Sequence, residues 1–458
     1  MQLEVFVTAG LGDNSYVLGS NGEAVVVDPQ RDVRPYLDLA EERGLSLAAV
    51  LETHVHNDYV SGARELQASS DAVIVGPASA AYAFPFRAVS EGDGLLVGDL
   101  RLMAIETPGH TPEHVAYLVY EEGADAPVAV FTGGSLMVGG AGRTDLLGQE
   151  HTDELTRRQY RTLRRLSSLP DAVQVLPTHG AGSFCGAAGP GTTQRVSTMA
   201  EERLQNAALG APDEEAFVRQ QLTGLLAYPT YYRHMASINR AGPKLLRGLP
   251  SPAALDPEAF ARAVDTGARV VDARWRVQFA RAHVPGSVNV ELDDTFASYV
   301  GWVVPFGEPV LLVLPEPLDE ALGEAATQLL RIGYERIAGY LAGGIEAWRR
   351  SGGPIASYPV TGLDELCRRY RSDRPPQVLD VRQRTEWDEG HIEGSRHVFV
   401  GDVPDRIHEL PRDQESWVIC ASGHRASTAA SLLDRDGIRV RLVDGTGVND
   451  FLKHCASR

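Results

Sequence analysis

RVVDARWRVQFARAHVPGSVNV, residues 269–290, and QVLDVRQRTEWDEGHIEGSRHV, residues 377–398, are two copies of one pattern. At an offset of 108, Asp272 falls on Asp380, Arg274 on Arg382, His283 on His391, Gly286 on Gly394 and Ser287 on Ser395. Each copy reads as strand, helix, strand. Behind the second copy the alternation continues through WVIC, RASTAASLLDRDG and IRVRLVDG. Strands separated by helices make parallel βαβ units, so the repeat predicts two α/β domains, 251–354 and 355–458.

Upstream of a Pro-rich linker near 249–256 lies a different pattern, and residues 1–250 are expected to form a third domain. Runs such as QLEVFVTA, NSYVLGS, EAVVVDP and LAAVLETH are strand-like, and VRPYLDLAEERG is helical, with Val33, Leu37 and Leu39 on one side. Strands dominate to about residue 140, which points to an α/β sandwich; residues 195–248 turn helical and polar. The whole chain carries 61 acidic against 43 basic residues, a net charge of −18, which argues against a grip on nucleic acid or an anionic membrane. Its longest apolar runs, such as PVLLVL at 309–314, are far short of the roughly 20 residues a membrane span needs. The first residues show no basic start followed by an apolar core. The four cysteines, Cys185, Cys367, Cys420 and Cys455, are widely spaced and too few for a disulfide framework, so a reducing cytoplasm is the expected setting.

Two constellations carry chemistry. His54-Val55-His56-Asn57-Asp58 follows a strand; TPGHTPEH adds His110 and His114, and LPTHG puts His179 at another strand end. A single one of these histidines reads as a surface or capping group, but three clusters at strand ends of one sandwich read as a convergent metal site. In the last domain, SWVIC ends at Cys420 and is followed by Ala421-Ser422-Gly423-His424-Arg425 and a helical run. A thiol between a strand and a helix N-terminus meets backbone N–H groups, and Arg425 adds positive charge; both favour an anionic sulfur, suited to a nucleophile or persulfide carrier. The first repeat has no cysteine, and after PVLLVL it reads Pro315-Glu316-Pro317, whose rigidity and charge oppose an anion cradle; its expected role is scaffolding. Cys367 lies in a helical pattern and is expected in the core, while Cys455, in a tail expected to be mobile, either resolves a persulfide or has no role.

The histidine motifs, with VVVDPQRD around Asp28 and GRTDL at 142–146, resemble the metallo-β-lactamase superfamily, and within it the persulfide dioxygenases, close to the glyoxalase II thioesterases. The repeats resemble rhodanese domains through DxR, H-x-x-G-S and, in the second copy, C-x-x-x-x-R. These resemblances imply an αββα sandwich followed by two rhodanese-like α/β domains, and an enzyme of reduced-sulfur metabolism. Cys420 would be the sulfurtransferase nucleophile, and Arg425 with the loop amides would stabilise its anion. The implied cofactor is one mononuclear metal, Fe(II) favoured over Zn(II), with absence of any metal as the third alternative. The implied small-molecule partners are a persulfide or thiol and sulfite or thiosulfate, and a homodimer is among the allowed assemblies.

The sequence departs from the dioxygenase pattern where TGD becomes Thr132-Gly133-Gly134, and HxHxDH ends in Tyr59. Without those ligands a two-metal hydrolytic centre should not assemble. His54, His56 and His110 remain as a three-histidine set, with Asp58 and His179 as orienters or weak ligands. Cys185, in THGAGSFCG, reads equally as apolar filler or as a reactive thiol, and the resemblance raises the second reading because rhodanese-fused dioxygenases carry a cysteine in this loop. Two alternatives stand beside the leading one: a glyoxalase II-like thioester hydrolase, and a degenerate metal-fold binding domain attached to an active sulfurtransferase.

Overall fold

Alternation of apolar side chains on both faces of the early strands forces them between two layers. The computed structural model describes residues 1–186, 193–223 and 225–455. It divides into Met1–Leu249 with Leu330–Gly333, and Pro250–Leu329 with Tyr334–Arg458.

In the first unit β1 (Gln2–Thr8), β2 (Asp13–Ser20), β3 (Glu23–Val27), β4 (Ser46–Leu51), β5 (Val73–Pro77) and β6 (Arg87–Val89) pair in chain order. The second sheet has the order β14-β13-β10-β9-β8-β7, from β7 (Gly94–Val97), β8 (Leu100–Glu106), β9 (Val115–Tyr120), β10 (Ala129–Gly133), β13 (Gln174–Pro177) and β14 (Ser197–Thr198). A hairpin of β11 (Leu136–Met137) and β12 (Gly140–Ala141) lies beside it. Tyr16 and Leu18 of β2 meet Val115, Tyr117 and Val119 of β9 in the core between the sheets. The opposite faces pack outward: Val17 on the side that holds Tyr36 and Ala40, and Ala116 and Leu118 on the side that holds Leu163 and Phe217. Helices on both outer faces complete the αββα sandwich. The first of them, Arg34–Glu42, seats Tyr36 and Ala40 most deeply, rather than the Leu37 and Leu39 that spacing suggested.

The second unit contains two parallel five-stranded sheets of matching order. One runs β15-β19-β18-β16-β17, from β15 (Ala254–Leu255), β16 (Arg269–Asp272), β17 (Val288–Asn289), β18 (Val310–Val313) and β19 (Ile337–Leu341). The other runs β20-β24-β23-β21-β22, from β20 (Val360–Thr361), β21 (Gln377–Asp380), β22 (Arg396–His397), β23 (Ser416–Ile419) and β24 (Val440–Val443). In both copies the aspartate closing the second strand holds its own arginine in a fork. Arg274 donates to Asp272 and to the Ala282 carbonyl, and Arg382 to Asp380 and the Gly390 carbonyl. The repeats also pack on each other. Ser431 Oγ accepts from Asn289 N–H at 2.9 Å, Ser427 Oγ donates to Asn289 Oδ1, and Trp302 stands edge-on to Phe399 with ring centres 4.9 Å apart.

The cysteines require a correction. Cys367, on the helix Leu363–Tyr370, and Cys455, just past the helix Val448–His454, form a disulfide with Cα atoms 5.5 Å apart. Cys455 is buried rather than in a loose tail. A separation of 88 residues hid the pair from a reading by spacing. Both helices pack on one face of the last sheet, and that face brings the cysteines together.

Candidate metal centre and thiol cradle

His54, His56, His110, His114 and His179 sit on the loops beyond β4, β8 and β13, at one end of the sandwich. All five are buried. Thr53 gives its one hydroxyl hydrogen to Asp28 Oδ2 at 2.7 Å, so its oxygen accepts from His54 Nδ1 at 2.8 Å. His110 Nδ1 donates to the Arg143 carbonyl at 2.7 Å, and His179 Nδ1 to Asp13 at 2.9 Å. Each ring therefore carries its hydrogen on Nδ1 and presents a bare Nε2. The nearest ligand atoms of His54, His110 and His179 lie within 4.8 Å of one another.

Two observations show that this set fits a metal ion. His54 Nε2 and His179 Nε2 face each other at 3.3 Å, and two lone pairs at that distance repel unless a cation lies between them. Nitrogens each about 2.0–2.1 Å from one tetrahedral ion stand about 3.4 Å apart. In addition, His110 Nε2 is buried with no hydrogen-bond partner. Burial, then the neighbouring imidazoles, holds His54 and His110 well below the ordinary histidine range, and burial also lowers His179. All three are thus kept in the neutral, ligating form.

His56 faces carboxylates as well as its HxH neighbour. Its Nε2 is 3.2 Å from Glu52, 3.3 Å from Asp28 and 3.1 Å from the Tyr59 hydroxyl. Burial pulls His56 down, but the charges of Asp28 and Glu52 outweigh it and hold the ring well above the usual range. His56 is thus paired with these carboxylates, and its ligand atom also lies within 4.8 Å of those of Asp28 and His54. A further group of His56, Asp58 and His179 also lies within 4.8 Å, and His56 Nδ1 and both Asp58 oxygens lack hydrogen bonds. Burial first, and then the Asp13 charge, raises Asp58 to about 6. The Tyr59 ring stacks on His56 with centres 4.4 Å apart and fills the space a last histidine would use. His114 is unavailable: Nε2 accepts from Gly134 N–H at 2.9 Å and Nδ1 pairs with Thr107 at 2.7 Å.

Gly134 stands where the dioxygenase pattern has its carboxylate, and the structure leaves no room for one. A Cβ there would lie 2.2 Å from His110 Cδ2 and 2.6 Å from its Nε2. Asp13, which orients His179, had no sequence signal, and Arg143, inside the GRTDL run, orients His110 through its backbone carbonyl, which a side-chain motif does not display. Neither lies in a histidine motif, and both reach the site through the fold.

Cys185 is fully buried, and burial with the Asp58 and Asp13 charges pushes its thiol well up. It is an enclosed thiol on the loop beyond His179, with the Asp58 carboxylate among its neighbours.

Cys420 follows β23, buried, and the Gly423 amide donates to its Sγ at 3.1 Å. Behind it the 12-residue helix His424–Arg435 begins. Gly423 has φ +106, and a Cβ there would lie 2.5 Å from Asp444 Oδ1 and 2.9 Å from Arg276 Nε, so only glycine fits. Arg425 does not point its fork at the sulfur. Its two nitrogens bind Glu386, the second at 2.9 Å. Arg425 reaches Cys420 only as a nearby charge, while the amide is the direct contact. Glu386 was invisible in the sequence because it lies in a different helix, Arg384–Glu389. The first repeat enters this site as well. Arg276 donates to the Ser422 carbonyl at 3.3 Å and to Asp444, and it is held from behind by Glu291 at 2.6 Å. Tyr299 stands edge-on to His424 with ring centres 5.1 Å apart.

Comparison with known proteins agrees with this fold. The metallo-beta-lactamase superfamily pattern matches residues 9–179, and the rhodanese-like domain pattern matches 256–351 and 363–453. A hydroxyacylglutathione hydrolase of Parasynechococcus marenigrum is 35% identical over 184 residues, 39% of this chain and 71% of that protein. One of Methylobacillus flagellatus is 34% identical over 166 residues, and the match covers 36% of this chain but only 60% of that relative. The crystal structure of a metallo-beta-lactamase from Staphylococcus aureus superposes with a TM-score of 0.67 at 28% identity, over 75% of this chain and 99% of that one. The chain belongs to the metallo-beta-lactamase superfamily, with two rhodanese-like domains after its metallo-beta-lactamase fold.

Proposed function

We propose that this protein handles sulfane sulfur in the form of low-molecular-weight persulfides, and that Cys420 carries the sulfur. The observation that supports it best is the Gly423 amide on Cys420 Sγ, at the head of a 12-residue helix. Such a donor stabilises a thiolate and, after transfer, the terminal sulfur of a persulfide. In the transfer the Cys420 thiolate attacks the outer sulfur of a persulfide RS–SH or of thiosulfate. The donor S–S bond breaks, RS⁻ or sulfite leaves with the electron pair, and Cys420–S–S⁻ remains after loss of any proton. An acceptor nucleophile then takes the outer sulfur and restores the thiolate. Rates of sulfur transfer from thiosulfate to cyanide test this step, and transfer that survives Cys420→Ser unchanged overturns it.

For the first unit the same reading gives His54, His110 and His179 one metal ion. Fe(II) held there supplies oxygen chemistry to a bound persulfide, whereas Zn(II) supplies only Lewis acidity. The chain's own part is to keep three imidazoles neutral and aimed at one point, through Thr53, the Arg143 carbonyl and Asp13. Elemental analysis should find one equivalent of metal. His179→Ala should weaken binding by about 100-fold or more, while His114→Ala should leave stoichiometry unchanged. Equal metal content in both variants would remove His179 from the set. A second reading, thioester hydrolysis, is favoured by the relatives named hydroxyacylglutathione hydrolase. Tyr59 and Gly134 oppose it, because they occupy positions a two-metal clamp needs. Oxygen uptake with glutathione persulfide, set against hydrolysis of a glutathione thioester, separates the two.

A further inference from the structure

Cys367 and Cys455 take no part in the chemistry described above, yet their disulfide sits at one end of a helix whose other end touches the Cys420 loop. The helix Val448–His454 runs between them. At its start, Val448 N–H donates to the Cys420 carbonyl at 3.1 Å. Gly447 lies so close that a Cβ would meet the Ala421 carbonyl oxygen at 2.1 Å. At its end, Cys455 N–H bonds the Phe451 carbonyl at 2.7 Å, and Arg371 donates to the Cys455 carbonyl at 2.8 Å. Phe451, Cys455 and Val448 share one core with Ile419, the residue before Cys420. One rigid segment therefore connects the cysteine pair to the backbone that presents the reactive sulfur.

We propose that Cys367–Cys455 is a reversible redox site, opened and closed by low-molecular-weight thiols and disulfides, and that closure holds the Cys420 loop in its cradle geometry. The coupling to sulfur transfer rests on the reading of Cys420 given above; the disulfide site itself does not. Exposure sets the order of events. Cys367 is half-buried and meets the small molecule first, whereas buried Cys455 resolves the intermediate. The Cys367 thiolate attacks a disulfide RSSR, forms Cys367–S–SR and releases RS⁻. Cys455 then gives up its proton and displaces the second RS⁻ as the intramolecular bond forms. The two cysteines lose two electrons, and RSSR leaves as two thiols. Reduction by two thiols runs the same steps backwards. In a compartment where thiols are kept reduced, a pair of this kind responds to the thiol–disulfide balance rather than serving as a permanent staple.

The test uses the full chain poised with glutathione disulfide or with dithiothreitol. Peptide mapping reports the Cys367–Cys455 cross-link, and amide hydrogen exchange reports residues 420–424 and 447–451. The oxidised protein should yield the cross-linked peptide, and its amides in those two segments should exchange about tenfold more slowly than in the reduced protein. Sulfur loading of Cys420 from thiosulfate should follow the same order. Cys367→Ser, which leaves the buried partner in place, should match the reduced protein under both conditions. Two results would overturn the proposal: no cross-linked peptide after oxidation, or a cross-link that leaves exchange in both segments unchanged. Failure of Cys420 to load in either redox state, with the exchange difference intact, would count against the sulfur-carrier reading and against the coupling to transfer, and would leave the redox site standing.

Discussion

At the register position of Cys420 the first repeat carries Leu314. Asp272 pairs with Val313 across the first sheet and Asp380 with Ile419 across the second, so the next residue on each strand is the equivalent one. Both copies then take three residues to reach a helix, Pro315-Glu316-Pro317 before Leu318 and Ala421-Ser422-Gly423 before His424. The frames match, but the chemistry does not. Pro317 stands where Gly423 donates its amide to sulfur, and proline has no amide hydrogen to give. Asp319 stands where the second copy has Arg425. A second contrast runs the other way. Arg276 of the first copy is buried and braces the Cys420 loop, whereas its counterpart Arg384 lies at the surface and pairs with Asp388. The duplication has kept one fold and divided its labour: one copy holds the thiol, and the other braces the loop around it.

The largest expected effect breaks that contrast at the sulfur. Cys420→Ser should lower thiosulfate–cyanide transfer on the order of 10³-fold or more, as loss of a nucleophile does. Leu314→Cys should add no transfer of its own, because it supplies a thiol without the amide; measurable transfer in the double variant would show that the cradle is dispensable.

The shared frame should respond alike in both copies. Asp272→Ala and Asp380→Ala each leave a buried arginine without its fork, and each should cost about 3–5 kcal/mol in urea unfolding. A large cost in one copy only would mean that the two frames are not equivalent.

Arg276→Ala should slow transfer about tenfold through a looser Ser422–Gly423 turn, while Arg384→Ala should change it less than about twofold. Equal effects would deny the first repeat its bracing role.

The smallest effect concerns Glu386. Burial raises this carboxyl, but hydrogen bonds from Arg425 outweigh it and hold it below the usual range. A depressed folded-state value stabilises the protein above the unfolded value, near 4.3, and that contribution is lost as pH falls through the folded value. The carboxylate is about one-third exposed, so solvent screening limits the pair to about 1 kcal/mol or less. Glu386→Gln should therefore flatten the acid end of the stability profile slightly; an unchanged profile would show that the pair contributes nothing there.

Much of this was legible in the sequence, for a physical reason: repeats and strand–loop–helix junctions are local patterns. The offset that aligns Asp272 with Asp380 displayed both rhodanese-like frames, and Cys420 was marked by the glycine turn that follows it. The histidine motifs showed that a site exists but not which nitrogens converge. That choice depends on Thr53, Asp13 and the Arg143 carbonyl, which fix the ring tautomers and come together only on folding. The Cys367–Cys455 pair and the Arg425–Glu386 fork were hidden for the same reason, since each joins segments far apart in the chain. Tyr59 and Gly134 were visible as departures, but that one stacks on a histidine and the other leaves no space for a side chain is a matter of packing.

On the proposed function, sulfur is carried on the thiol held by the Gly423 amide. Intact-protein and peptide mass spectrometry of the full chain, after brief exposure to thiosulfate and removal of the donor, tests it most directly. The protein should gain the mass of a single sulfur atom, located on the peptide that contains Cys420 and absent from the one that contains Cys185. Added sulfur on Cys185 with Cys420 unmodified would contradict the proposed function.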